Sequence, residues 1–283
     1  MLYFSSLLTT APQYSPSAQN LFAALDANKI KYDLLSGAKD IWVRDFMPVR
    51  RKDGQYISFR YEPSYLRGNP ELRTNFRDVA GQIPVSVEYS DINLDGGNVV
   101  FSPSRNKAVI SDRVFSENSD YDRAALIREL EELLTAHVIV IPSLPSDMTG
   151  HADGMVRFVD DNTVIGNDTP YKNGLEQRIR AVLEREGLRV LDFPYYDAPG
   201  ESAAGCYLNF LKTERYIFLP IFGHKKDQKA IQAAERIFSK EIVPLRIDEI
   251  AARGGGLNCV SWGGRGMNKV FREEDNREDR NET

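Results

Sequence analysis

Two cysteines, one histidine and three aspartates of this chain stand in short polar clusters that recur at nearly even intervals. The clusters are Trp42-Val43-Arg44-Asp45, Asp95-Gly96-Gly97-Asn98, Gly150-His151-Ala152-Asp153-Gly154, Cys206-Tyr207-Leu208-Asn209 and Gly254-Gly255-Gly256-Leu257-Asn258-Cys259. Asp45, Asp95, His151, Asn209 and Cys259 follow one another at steps of 50, 56, 58 and 50 residues. Any one cluster could be a glycine-marked turn and no more. Five at a fixed period are what a closed array of repeated units produces, each unit aiming one cluster at a common axis.

Cys259 follows three glycines, which let backbone approach a ligand closely and leave the thiol accessible. A thiolate is a nucleophile, and it needs a histidine or a cation to lower its pKa. His151 and Asp153, two apart at a strand-like entry, are expected to point to one face of an extended backbone. Charged residues in a buried strand must be paired, so the Asp40–Asp45 run requires Arg44 to meet Asp40 or Asp45, or a ligand to satisfy them. Carboxylates beside a cysteine and a histidine suit a cationic, planar, donor-rich electrophile, and a guanidinium has those properties. A zinc site is disfavoured because His137 and His224 lie in no comparable cluster. Cys206, inside an apolar run, reads as inert packing.

The elements that would position these residues repeat as well. Asn98–Phe101 and Ala108–Ile110 read as strands around a turn, followed by a helix over Tyr121–Ala136 and a buried strand His137–Ile141. The next unit reads Met155–Phe158, Thr163–Ile165, a helix over Gly174–Glu186 and a strand Leu188–Leu191. A third reads Tyr207–Phe210, Tyr216–Leu219, a helix over Asp227–Lys240 and a strand Ile242–Leu245. Met1–Leu8 reads as a first buried strand, and Tyr61–Pro84 as loop and short helix. The 283 residues form one expected domain over 1–271, with a charged, disordered tail at 272–283. The 42% hydrophobic and 27% charged content is that of an ordinary globular protein, and no apolar run is long enough to span a bilayer. A net charge of −5 argues against a nucleic-acid partner, and two cysteines with no secretory leader fit a cytoplasmic location.

The segments Asp40-x-Trp42-x-Arg44-Asp45, Asp95-Gly96-Gly97-Asn98, Thr149-Gly150-His151-x-Asp153, Tyr207-x-Asn209-Phe210 and Gly254-Gly255-Gly256-x-x-Cys259 closely resemble, in order and spacing, the agmatine deiminase and bacterial peptidyl-arginine deiminase family. That family typically carries Glu at the position of Asp95 and His at that of Asn258. The resemblance implies an α/β pentein, a five-bladed pseudo-symmetric α/β propeller, and an enzyme that hydrolyses a guanidino group to a ureido group with release of ammonia. It implies Cys259 as nucleophile, His151 as general acid and base, and Asp45 and Asp153 as guanidinium clamps. Trp42, Arg44, Asp95 and Asn209 would bind or surround a small cationic substrate of the agmatine or arginine type. The resemblance implies no cofactor and no metal, and no membrane partner is expected; the sequence leaves the oligomeric state open, a homodimer included. The rival readings are an amidinotransferase of the same superfamily, which passes the amidino group to an amine, and a non-catalytic pentein acting as a binding protein.

Overall fold

Four stretches of the chain spell one pattern: a short strand, a hairpin, a longer β-branched strand, a crossover, and a return strand. A computed structural model of the protein describes residues 1–144, 147–168 and 174–264, so the expected tail at 272–283 lies outside the described residues. Among those residues the pattern folds into five three-stranded sheets. In each, the first strand runs antiparallel to the second, and the second parallel to the third. The sets are Val49–Arg50, Tyr56–Arg60 and Val87–Asn93; Val100–Phe101, Lys107–Ser111 and His137–Ile141; Val156–Asp160, Thr163–Asn167 and Arg189–Phe193; and Leu211–Lys212, Tyr216–Ile221 and Glu241–Arg246. The fifth sheet joins both ends of the described chain. Trp262–Gly263 pairs antiparallel with Leu2–Ser5, which runs parallel to Tyr32–Leu35.

A parallel pair needs a crossover of a dozen or more residues, and helices supply it. Ser15–Ala27, Arg123–Leu134, Leu175–Arg185 and Asp227–Ile237 fill that role in four sheets. Arg123–Leu134 shows why. The Asp122 carboxylate accepts the Ala125 N–H at 2.9 Å and caps the first turn, Thr135 ends the helix in the left-handed region, and Leu126, Leu130 and Leu134 bury one stripe. Covered by such helices, the middle strands are buried along most of their length, as in Thr163–Asn167 and Tyr216–Ile221. In the remaining sheet the Pro- and Gly-punctuated segment crosses over as the short helical turns Ser64–Leu66, Pro70–Leu72, Phe76–Val79 and Ala80–Gln82, as the sequence indicated.

The first strand of each sheet follows its polar cluster directly, and here the sequence reading needs correction. Trp42–Asp45 is not strand but leads into a single helical turn, Val43–Phe46. His151 and Asp153 are likewise not on one extended run: His151 is extended, and Ala152–Gly154 form a 3-10 turn. No strand forms over Tyr207–Phe210, where the chain turns and strand begins only at Leu211–Lys212, and the strand expected over Met1–Leu8 is confined to Leu2–Ser5, followed by the turn of helix Leu7–Thr10. The physical reason is common to all four. A short buried apolar run has no solvent face, so periodicity cannot separate strand from a buried helical turn.

Candidate active site

Five turns at the heads of five inner strands converge, and their side chains bond mainly to one another. Cys259 sits in the turn after Gly254–Gly256. Two of those glycines are required by contact. A Cβ on Gly255 would lie 2.3 Å from the Trp42 ring, and one on Gly256 would lie 2.9 Å from Asn209 Cβ and Oδ1. The Asn209 side chain then pins the turn: its Oδ1 accepts the N–H groups of Asn258 at 3.0 Å and Cys259 at 3.2 Å, while its Nδ2 donates to Cys259 Sγ at 3.1 Å. Arg44 holds the other side, its backbone N–H donating to Cys259 O at 3.0 Å and its Nε to Asn258 O at 3.2 Å. Neither Asp40 nor Asp45 forms an ion pair with it among the described residues. Arg44 therefore supports the cysteine turn through backbone carbonyls.

Asp153 faces the thiol, with its Oδ2 3.7 Å from Sγ and accepting Asn258 Nδ2 at 2.7 Å. Asp45 approaches from another blade. Its Oδ1 accepts the Gly97 N–H at 3.1 Å and lies 3.6 Å from His151 Nδ1. The opposite ring nitrogen, Nε2, is 2.8 Å from Asp95 Oδ2. A Cβ at Gly97 would stand 2.5 Å from Asp45 Oδ1 and 2.6 Å from His151 Nδ1, so only glycine lets those two groups face each other. Asn98 links this blade to the next, its Oδ1 accepting N–H groups of Ser111 and Ala152 at 2.8 and 3.1 Å. Asp45, Asp95, His151, Asp153, Asn209, Asn258 and Cys259 are each less than a tenth exposed. The thiol is thus buried, where the sequence reading expected it open to solvent.

Burial decides the electrostatics. It pushes the Cys259 thiol well above its usual value, and the charges of Asp153 and Asp45 push the same way. Burial also raises the Asp45 carboxyl, against the pull of the His151 charge. On the His151 ring burial disfavours the charge, but Asp45 and Asp95 outweigh it and hold the imidazolium up to about 10. The closer of those two pairings is the 2.8 Å bond to Asp95. The surroundings thus favour a thiol at Cys259 and an imidazolium at His151. A cation entering beside Asp45 and Asp153 would cancel the charges that add to burial in keeping Cys259 protonated. Cys206 is different: burial, then Asp153, pushes it up to about 12, and its Sγ donates to Gly154 O at 3.5 Å. Among the described residues no group of three or more His, Cys, Asp or Glu side chains is placed to hold a metal ion, and no helix is long and apolar enough to cross a membrane.

All of the sequence-derived candidates except Trp42 present side chains to this cluster, Arg44 through its Nε to Asn258 O. Trp42, half-buried, packs on Gly255. Sequence reasoning missed Asn258 as the partner of Asp153, Gly97 as the contact glycine, and Tyr65, whose hydroxyl donates to Asp95 Oδ2 at 2.9 Å. Two adjacent glycines after Asp95 were a usable signal for Gly97. Tyr65 lies in an irregular segment, where nothing in the local pattern marks it.

The chain is similar to known proteins. The family described as Porphyromonas-type peptidyl-arginine deiminase matches residues 6–263. A Streptococcus mutans protein that carries the name agmatine deiminase on a provisional footing is 40% identical over 63 residues, which is 22% of this chain and 17% of that protein. Among solved structures, a C. jejuni agmatine deiminase with substrate bound superposes with a TM-score of 0.71 at 16% identity, covering 93% of this chain and 92% of the other. An Enterococcus faecalis agmatine deiminase gives 0.66 at 18% identity, covering 79% and 74%. At these identities the structures establish the fold, the five-bladed α/β propeller of the penteins.

Proposed function

The chain belongs to the Porphyromonas-type peptidyl-arginine deiminase family, and from that premise we propose that it hydrolyses the guanidino group of a small cationic substrate, of the agmatine or arginine type, to a ureido group and ammonia. The observation that carries this reading is the placement of Cys259 Sγ 3.7 Å from Asp153 Oδ2, with Asp45 held against His151 by Gly97. A guanidinium bridging Asp45 and Asp153 is oriented by charge-assisted hydrogen bonds and brings its central carbon to the sulfur. Its charge relieves the carboxylate repulsion that keeps the thiol protonated, so docking itself favours the thiolate. The thiolate adds to the carbon, giving a tetrahedral adduct. His151 donates its proton to the departing amino group, the carbon–nitrogen bond breaks, and ammonia leaves a thiouronium on Cys259. His151, now neutral, takes a proton from water as the water adds to the same carbon. Collapse expels the Cys259 sulfur, which takes up the hydroxyl proton of the adduct, so that the urea forms and the thiol is restored. Asn209 Nδ2, 3.1 Å from Sγ, supports the sulfur in both half-reactions, while Asp95 orients the imidazole and Arg44 the cysteine turn.

The test is ammonia release from agmatine, free arginine and an arginyl peptide, with no added amine. Ammonia appearing with a stoichiometric ureido product supports a hydrolase. Turnover that requires an amine acceptor would instead identify an amidinotransferase.

A further inference from the structure

We propose, resting on the reaction above, that Tyr65 is a positioning residue: its hydroxyl fixes the Asp95 carboxylate so that the carboxylate holds His151 with Nε2 occupied and Nδ1 turned toward Asp45. The geometry is specific. A single oxygen, Asp95 Oδ2, accepts both Tyr65 OH at 2.9 Å and His151 Nε2 at 2.8 Å. The two rings meet edge-on with centroids 6.3 Å apart. A carboxylate held by one hydrogen bond can swing about its last torsion, whereas a second donor from another segment fixes it.

That segment is itself anchored, which an incidental contact would not need. Asn93, two residues before Asp95, clasps it in both directions: its Oδ1 accepts Glu62 N–H and its Nδ2 donates to Glu62 O, each at 2.8 Å. Glu117 accepts from Ser64 N at 2.9 Å and Ser64 Oγ at 2.5 Å, and Arg113 Nε donates to the same Glu117 at 3.2 Å. Asn118 in turn bonds both backbone groups of Asn93, at 2.8 and 2.9 Å. The strand end that carries Asp95 therefore also holds the tyrosine that restrains it. Burial, followed by the neighbouring Asp95 charge, pushes the Tyr65 phenol well above its usual value, so it remains a donor.

The chain has three histidines, so histidine-labelled NMR can follow His151 directly. In Tyr65→Phe the Asp95 charge loses one of its two donors and leans harder on the imidazolium. The His151 titration midpoint is then expected to rise by about half a pH unit or more. The imidazolium becomes a poorer acid, and with Asp95 released kcat falls about tenfold while KM stays within about twofold. His137 and His224 serve as internal controls for folding. If Tyr65→Phe does not fold, Glu117→Gln loosens the same segment without touching the phenol and moves the midpoint the same way by less. A midpoint that stays put or falls, or an unchanged kcat, overturns the role of Tyr65. A wild-type enzyme that releases no ammonia contradicts the reaction instead, and the NMR titration still decides the Tyr65 contact by itself.

Discussion

Asp45 and Asp153 are the residues on which a guanidinium substrate depends, because they are the buried carboxylates nearest His151 Nδ1 and the Cys259 sulfur. Asn substitution removes the charge and keeps the shape. Each of Asp45→Asn and Asp153→Asn is expected to lose about 2 to 5 kcal/mol of transition-state binding, a fall in kcat/KM of roughly 30- to several-thousand-fold. Steady-state kinetics with the best guanidino substrate checks this, and values within about threefold of wild type would remove that aspartate from the clamp. His151 gives a second prediction at this scale. Its folded pKa, about 10, lies above its ordinary 6.5. The pairing with Asp95 and Asp45 therefore adds stability that is complete below about pH 6.5 and is lost as pH rises through about 10. Denaturant unfolding should show stability falling across that window by up to about 1.4 kcal/mol per pH unit. In His151→Gln the slope should flatten; an equal slope would mean that the imidazole is not charged in the folded protein.

At the scale of elements, three of the four crossover helices were legible, Ser15–Ala27 was not read as a helix, and the turns that carry the chemistry were misjudged. Ala125, Ile127, Leu130, Leu133 and Leu134 at helical spacing mark a helix over Tyr121–Ala136, and the structure forms it over Arg123–Leu134 with Leu126, Leu130 and Leu134 buried and Asp122 as its cap. Val43–Phe46 and Ala152–Gly154 are single, largely buried turns, and their apolar neighbours mimic strand. The clusters were nonetheless found, because glycine, aspartate and asparagine at a fixed period mark the turn even when its conformation is misjudged. Tyr65 stayed hidden since its partner is 30 residues away in sequence and its own segment has no period. The crossover helices should matter to stability and not to chemistry. Leu130, fully buried, is expected on truncation to Ala to cost about 2 to 5 kcal/mol. The kcat of the folded fraction should be unchanged, as measured by unfolding and by activity normalised to folded protein. A large drop in kcat would mean that the helix positions the site directly.

For the whole molecule, ring closure is what turns five weak local signals into one site. Each blade supplies one cluster, and the clusters meet because the first described strand pairs with the last, with Tyr3 opposite Trp262. Trp262 Nε1 donates to Pro48 O at 2.7 Å, so the closing strand also ties to the blade that carries Asp45. Asn209 from a fourth blade then sets the Cys259 sulfur, and Asp153 from a third faces it. The arrangement leaves Cys206 bonded to Gly154 O, away from the role of nucleophile. Acid-quenched intact-protein mass spectrometry and peptide mapping during turnover, in wild type and in His151→Gln, read that assignment at the sulfur itself. The expected result is an adduct of substrate less ammonia on Cys259, accumulating in His151→Gln and absent from Cys259→Ala. An adduct on Cys206, or undiminished ammonia release from Cys259→Ala with no adduct at all, would contradict it.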